Sequence, residues 1–103
     1  MHKLMVLIKS PEDVLALETQ WSNEFVGRAE RMPGLRRVSV SRIVGALGDG
    51  HDLHLIHEFY FDDMQALKSA LASTQGQEAG QALMAVAGDY VSIYFAEHLE
   101  EAR

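Results

Sequence analysis

Cysteine is absent from the sequence, and basic residues are scarce. Without cysteine the chain can form no disulfide, thiolate nucleophile or cysteine-ligated metal centre, and its composition fits a reducing compartment. Nine lysine and arginine residues stand against fifteen aspartate and glutamate residues, which gives a net charge of -6 at pH 7. Because nucleic acids and anionic membranes bind basic surfaces, we expect neither as a partner.

Long apolar runs are also missing. The run Leu4–Ile8 lies between two lysines and is too short for the core of a signal peptide or for a membrane span. At 103 residues, of which 48% are hydrophobic, the chain has the size and composition of one folded domain over 1–103. We therefore expect a single-domain cytoplasmic protein.

Sequence patterns predict four strands and three helices. Alternation and short branched apolar runs indicate strands, while apolar residues at steps of three and four indicate helices. Ser10 is a plausible N-cap for the first helix, with Pro11 at its first position. The predicted elements are a strand over 4–8, a helix from 11 that stops before 32, strands over 35–44 and 53–61, helices capped by Asp62 or Asp63 and by Ser73 or Thr74, and a strand over 90–96.

The third predicted strand has one apolar face and one mixed face, because successive strand side chains alternate. The apolar face comprises Leu53, Leu55, His57, Phe59 and Phe61, and the mixed face comprises His54, Ile56, Glu58 and Tyr60. A small soluble domain normally has either a greasy or a fully solvated sheet face. The mixed face therefore predicts a surface that is covered but not dry, where a functional site would lie.

Three histidines, His51, His54 and His57, recur at intervals of three. On a helix this spacing would gather the imidazoles on one side. On a strand His51 and His57 lie about 20 Å apart and His54 points the opposite way. We expect no metal site here. The glycine-rich stretch 45–50 lies in a predicted hairpin with no following helix, so it does not fit a phosphate or dinucleotide loop, and we expect no cofactor.

The order strand, helix, strand, strand, helix, strand predicts an α+β, ferredoxin-like βαββαβ fold, with a four-stranded antiparallel sheet and helices on one face. The other face is left bare. Its large side chains are predicted to be Ile56, Tyr60, Tyr90 and Tyr94. Monomers rarely expose such a face, so a partner or a second copy of the chain should cover it, and we expect a homodimer.

Three segments in order, 32–37, 54–63 and 72–77, resemble the EthD family of dimeric α+β barrels. The resemblance covers nearly the whole length. It implies that two ferredoxin-like protomers join their bare sheet faces into a barrel, and that each has a cavity between its sheet and its helices or its partner. The mixed face would then line that cavity. The family is named for a protein required, in an auxiliary role, by a cytochrome P450 system that degrades ethyl tert-butyl ether. Related barrels include monooxygenases, decarboxylases and polyketide-processing enzymes.

One position departs from the family pattern. Many members have a His-Ala-Pro segment eight residues before Pro-Gly-Leu, and this chain has Phe25 where the histidine would stand, followed by Val26 and Gly27. Any chemistry that the histidine performs in relatives is therefore missing here. Phe25 also lies on the apolar stripe of the first helix, where core packing is the usual role.

Glu58 and His54 are the candidate catalytic residues. Partial burial without a cationic partner would raise the pKa of the Glu58 carboxyl and suit it to acid or base work, whereas pairing with an arginine such as Arg42 would make it structural. His54, with its ordinary pKa near neutrality, is either a second acid–base group or a rim residue. The expected ligand-contacting residues are Ile56, Tyr60, Tyr90, Tyr94, Trp21 and Phe25, of which the last two are alternatively plain core.

Three functions follow from these observations. The first is a protein that binds a small apolar or aromatic metabolite in a barrel cavity and is accessory to a degradative pathway or a partner oxygenase. The alternative is a cofactor-free enzyme of the dimeric barrel type, such as a monooxygenase, decarboxylase or polyketide-processing enzyme, with Glu58 as acid or base. A purely structural dimer is the third. Because the sequence contains no complete catalytic set, the binding role is favoured.

Overall fold

A computed structural model describes residues 1–48 and 52–102. It contains a four-stranded antiparallel sheet in the order β2-β3-β1-β4, with helices packed on one face. The strands are β1 His2–Lys9, β2 Arg37–Arg42, β3 Leu53–Phe61 and β4 Val91–Glu97. The predicted ferredoxin-like α+β fold is confirmed, although β2 is shorter than the strand predicted over 35–44.

The helices are arranged as one long stretch after β1 and two shorter helices between β3 and β4. The first stretch begins as an α-helix, widens into a π-helix and ends with one α-helical turn. The helical segments are α1 Val14–Gln20, the π segment Trp21–Val26, α2 Gly27–Ala29, α3 Met64–Ala72 and α4 Thr74–Ala87. Among the described residues, no helix is long and apolar enough to cross a membrane.

Side-chain caps fix where the helices begin. The Asp63 carboxylate accepts a hydrogen bond from the Ala66 amide at 2.8 Å and starts α3, and the Ser73 hydroxyl accepts one from the Gly76 amide at 3.0 Å and starts α4. The prediction that Ser10 caps the first helix was wrong. Asp13 is the cap, because its carboxylate accepts a hydrogen bond from the Ala16 amide at 3.0 Å. The Ser10 amide donates to the carbonyl of Asp52.

The apolar face of β3 packs against the helices. Leu55, His57, Phe59 and Phe61 are all buried, as alternation predicted. Next to β3, β1 contributes Leu4, Val6 and Ile8 to the same core. This arrangement makes the β1–β3 pair the floor of the hydrophobic core and leaves the opposite side of both strands as the open face.

Two residues predicted on the open face lie elsewhere. His54 sits where the β1–β3 register shifts, since Ile8 pairs with Leu55 and Lys9 with Leu53; this extra residue breaks the alternation, and the imidazole reaches helix α1. Tyr90 precedes β4, donates its amide to the Ala87 carbonyl and packs against the hydrophobic core. The turn after α4 places Tyr90 before the strand pleat begins.

Candidate functional site

A cavity of about 210 Å³ lies between the helices and the β1–β4 side of the sheet. The strands contribute Leu4, Val6, Ile93 and Phe95 to its lining. The helices and the turn after α2 contribute Phe25, Met32, Leu71, Gly76, Ala79, Gly80 and Leu83. All of these residues are apolar or glycine, so the cavity can hold an apolar molecule but offers it no ionisable side chain.

A larger depression of about 780 Å³ runs between the first helical stretch and α4. Its walls include Glu24, Arg28 and Glu78, and Arg28 forms an exposed ion pair with Glu24 at 3.3 Å. Such a solvated charged groove encloses little of a small ligand. The smaller cavity is therefore the better candidate for a binding site.

His57 is fully buried in the core beside this cavity. The indole Nε1 of Trp21 donates a hydrogen bond to its Nδ1 at 3.2 Å. Its ring also contacts Phe25 edge-on, with centroids 5.7 Å apart, and lies 4.3 Å from the ring of Phe59. Both Phe25 and Val6, the residue paired with His57 on β1, line the cavity. His57 thus lies directly behind the cavity wall.

Burial determines the charge of this histidine. Desolvation lowers the pKa of His57 from 6.5 to about 4, which keeps the imidazole neutral at neutral pH. Because an indole N–H can only donate, Nδ1 is the unprotonated nitrogen and Nε2 carries the hydrogen. Within the described part of the chain, Nε2 has no hydrogen-bond partner. An unsatisfied buried donor costs roughly 1–3 kcal/mol.

The sequence placed His57 on the core face but did not single it out as a functional residue. The available signal was a lone polar residue on an otherwise apolar strand face, together with Trp21 on the stripe of the helix that covers it. The structure also gives Trp21 a defined part, since its indole orients the imidazole. Trp21 supports the cavity from behind and does not line it.

Glu58 lies on the open face, on the opposite side of the sheet from the cavity. It pairs across the sheet with Ser39 on β2 and Met5 on β1, and Met5 in turn pairs with Tyr94 on β4. Its carboxylate forms an ion pair with Lys3 at 2.5 Å, and both side chains are largely buried. The condition that suited Glu58 to acid–base work, burial without a cation nearby, is not met.

His54 belongs to an ion-pair cluster at the β2 edge of the sheet. Its Nε2 lies 2.8 Å from a carboxylate oxygen of Glu18 on α1, and the Arg42 guanidinium donates to the same carboxylate. Both hydrogen bonds lower the pKa of Glu18, and the one from Arg42 has the larger effect. Arg42, which was considered as a partner for Glu58, is therefore engaged by Glu18 instead.

Tyr60 is covered by its own chain. The Arg37 guanidinium lies 4.2 Å from the centroid of its ring, and the ring of His98, after β4, packs edge-on at 4.9 Å. Glu100 anchors this tail by accepting hydrogen bonds from Arg37 and pairing with His98. Only 4% of Tyr60 remains exposed, so the C-terminal tail covers one end of the open face.

The structure therefore separates the residues proposed from the sequence. Phe25 lines the cavity, and Trp21 lies behind it. Glu58, Ile56 and Tyr94 share the open face, and 56% of Tyr94 is exposed. The remaining three are His54 in the Glu18 cluster, Tyr60 beneath the tail and Tyr90 against the core. Of the three histidines at intervals of three, His51 lies outside the described residues.

Among the described residues, no group of three or more histidine, aspartate or glutamate side chains is arranged to hold a metal ion. His54 and His57, which share the strand, face different partners: Glu18 for the first and Trp21 for the second.

A crystal structure of an EthD-family protein from Bacillus halodurans is similar to this chain over almost its whole length. The TM-score is 0.91 and the sequence identity 31%, with 96% of this chain and 99% of that chain covered. The chain belongs to the EthD family. A scan against protein-family models and a search of curated proteins found no match.

More distant structures share the fold of this EthD-family chain. SnoaB, a cofactor-independent oxygenase from Streptomyces nogalater, has a TM-score of 0.67 at 15% identity, with 97% of this chain and 94% of that chain covered. A dimeric ferredoxin-like protein of unknown function from Jannaschia has a TM-score of 0.65 at 17% identity, with 95% and 100% covered. At these identities the likeness shows the fold alone.

Proposed function

We propose that this EthD-family protein binds a small apolar or aromatic molecule in the cavity between its sheet and its helices. The observation that carries the proposal is the cavity of about 210 Å³ with a wholly apolar or glycine lining. A dry cavity of about 150 Å³ with aliphatic and aromatic walls is known to bind benzene. The volume here suits a single ring with a small substituent.

The proposed site differs from the one expected on the mixed strand face. Phe25 forms one aromatic wall of the cavity, and the ring of His57, which packs edge-on behind Phe25, gives that wall a fixed orientation. The open face, with Glu58, Ile56 and Tyr94, is proposed as the contact between two protomers. Because the Glu58 carboxylate is paired with Lys3 and faces away from the cavity, we assign it a structural role.

An accessory role in a degradative pathway fits this site better than catalysis. The cavity lining has no residue that accepts or donates a proton, and general acid–base work requires such a group within hydrogen-bond reach of the substrate. The chain would hold or deliver an apolar compound for a partner oxygenase. The cofactor-free enzyme with Glu58 as base has no comparable support.

The lack of cysteine supports the cytoplasm as the location of this protein.

Binding is tested by titrating the purified protein with toluene and following the methyl resonances of the protein by NMR. We expect saturable shifts at Leu4, Leu83 and Ile93, which line the cavity, and toluene recovered unchanged. Benzylammonium is the matched control, because it has nearly the same shape but carries a charge that the lining cannot satisfy. Equal binding of both compounds, or shifts confined to other surfaces, would contradict the proposed site.

A homodimer formed through the open face is part of the proposal. Met5, Ile56 and Tyr94 give this face an apolar strip, and similar proteins are described as dimeric. Light scattering should give twice the mass of one chain. We expect Tyr94→Glu to produce monomers and Leu15→Glu, a control on exposed α1 surface, to remain dimeric. A monomeric unmodified protein would refute this arrangement.

A further inference from the structure

Gly80 occupies an unusual position in α4. It lines the apolar cavity and also an adjoining surface groove of about 660 Å³, and Ile93 on β4 is shared by both. Gly80 itself is exposed. The cavity and the protein surface therefore meet between α4 and β4, where Gly80 faces Ile93.

The exposed fractions of the lining residues identify the same opening. Leu4, Val6 and Phe25 at the inner end of the cavity are almost fully buried, whereas Ile93 is 47% and Phe95 51% exposed. Both exposed residues lie on β4, one of the two edge strands of the sheet. Helix α4 therefore does not fully cover Ile93 and Phe95, the two β4 residues that border the cavity.

Packing does not explain a glycine at this position. A Cβ atom built on Gly80 meets no atom within 4 Å, whereas one on Gly76 would collide with the backbone of Ala70 and Leu71. Gly76 is therefore required by the close approach of α3 and α4. Gly80 has an ordinary helical backbone and lies inside the helix Thr74–Ala87, where glycine is less stable than alanine by about 1 kcal/mol.

We propose that an apolar ligand enters and leaves the cavity through the gap beside Gly80. This inference rests on the binding function proposed above. With no side chain on Gly80, a passage remains between α4 and Ile93, and a methyl or larger group would project into it. The proposed dimer contact lies on the other face of the sheet, so the passage stays accessible in the dimer.

The rates of toluene exchange test this role. NMR line shapes of the Leu83 and Ile93 methyl groups would give association and dissociation rates for the unmodified protein, Gly80→Ala and Gly80→Leu. We expect both rates to fall together, several-fold for alanine and more for leucine, with a smaller change in affinity. Gly80→Ala should also raise the melting temperature, because alanine favours the helix.

Gly27 provides the matched control. It is an exposed glycine in α2 whose Cβ would also meet nothing within 4 Å, but it lies outside the cavity lining. Gly27→Ala should raise the melting temperature while leaving the exchange rates unchanged. Ile93→Ala, which widens the passage from the opposite side, should accelerate exchange even if Gly80→Leu does not fold.

The possible failures are distinct. If toluene does not bind the unmodified protein, the proposed function is wrong and the opening has no ligand to admit. If toluene binds but exchanges at the same rates in Gly80→Ala, Gly80→Leu and Ile93→Ala, the binding site stands and the role of Gly80 is overturned. If Gly27→Ala slows exchange as strongly as Gly80→Ala, the effect is one of general rigidity, which also overturns the role.

Discussion

The two faces of the sheet differ in how they treat polar groups. Among the described residues, the buried core of the covered face holds one polar side chain, His57, which is neutral and receives a hydrogen bond from Trp21. The open face holds the Lys3–Glu58 ion pair and the exposed Tyr94. Charged groups remain where water or a partner can reach them. The Lys3–Glu58 pair therefore lies across the sheet from the cavity, and the cavity lining carries no charged side chain.

The largest predicted effect is the difference in stability loss when one large side chain is truncated on each face of the sheet. Phe59→Ala on the covered face should lower the free energy of unfolding by roughly 3–5 kcal/mol, because it empties space beside Phe25 and His57. Ile56→Ala, on the open face of the same strand, should cost about 1 kcal/mol. Urea denaturation followed by the fluorescence of Trp21 measures both. Equal losses would contradict this prediction, because they would mean that Ile56 in the proposed dimer contact is packed as tightly as Phe59 in the core.

The second prediction concerns the neutral histidine of the covered face. The pKa of His57 is 6.5 in the unfolded chain and about 4 in the folded one, so as pH falls the unfolded chain takes up this proton first. The stabilisation is complete above pH 6.5 and is lost as pH falls through about 4. It amounts to roughly 3 kcal/mol of unfolding free energy, measurable by urea denaturation at several pH values.

His57→Gln is the control for this pH dependence. It keeps an oxygen that can accept from Trp21 but removes the titration. The unfolding free energy of the unmodified protein minus that of His57→Gln should fall by roughly 3 kcal/mol as pH is lowered from 6.5 through 4, whatever its value at pH 7. Parallel pH profiles for both proteins would show that His57 is more accessible to water than the structure indicates.

The smallest predicted effect belongs to the open face. A double-mutant cycle of Lys3→Met and Glu58→Gln should give a coupling energy of about 1 kcal/mol, since the pair is shielded but lies near the surface. Neither variant should change toluene affinity, because both residues lie across the sheet from the cavity. A loss of toluene binding in Glu58→Gln alone would show that Glu58 takes part in binding. The open face would then be part of the functional site as well.

Local patterns determined much of this fold. Alternation along β3 separates the buried Phe59 and Phe61 from Ile56 and Glu58, because side-chain direction in a strand depends only on position in the pleat. The caps Asp63 and Ser73 were likewise readable, since each bonds an amide three residues away. The resemblance of three short segments to the EthD family was also correct.

Tertiary packing decided where the cavity lies. Its walls come from β1, β4, the π segment and α4, and no local pattern specifies how closely elements so distant in sequence approach. The register shift that turns His54 toward Glu18 arises from pairing between β1 and β3. The tail that covers Tyr60 depends on contacts of His98 and Glu100 with residues far away in the chain. The sequence thus determined which residues share a face where the strands are regular, while long-range packing decided where His54 and Tyr90 lie and which face encloses space for a ligand.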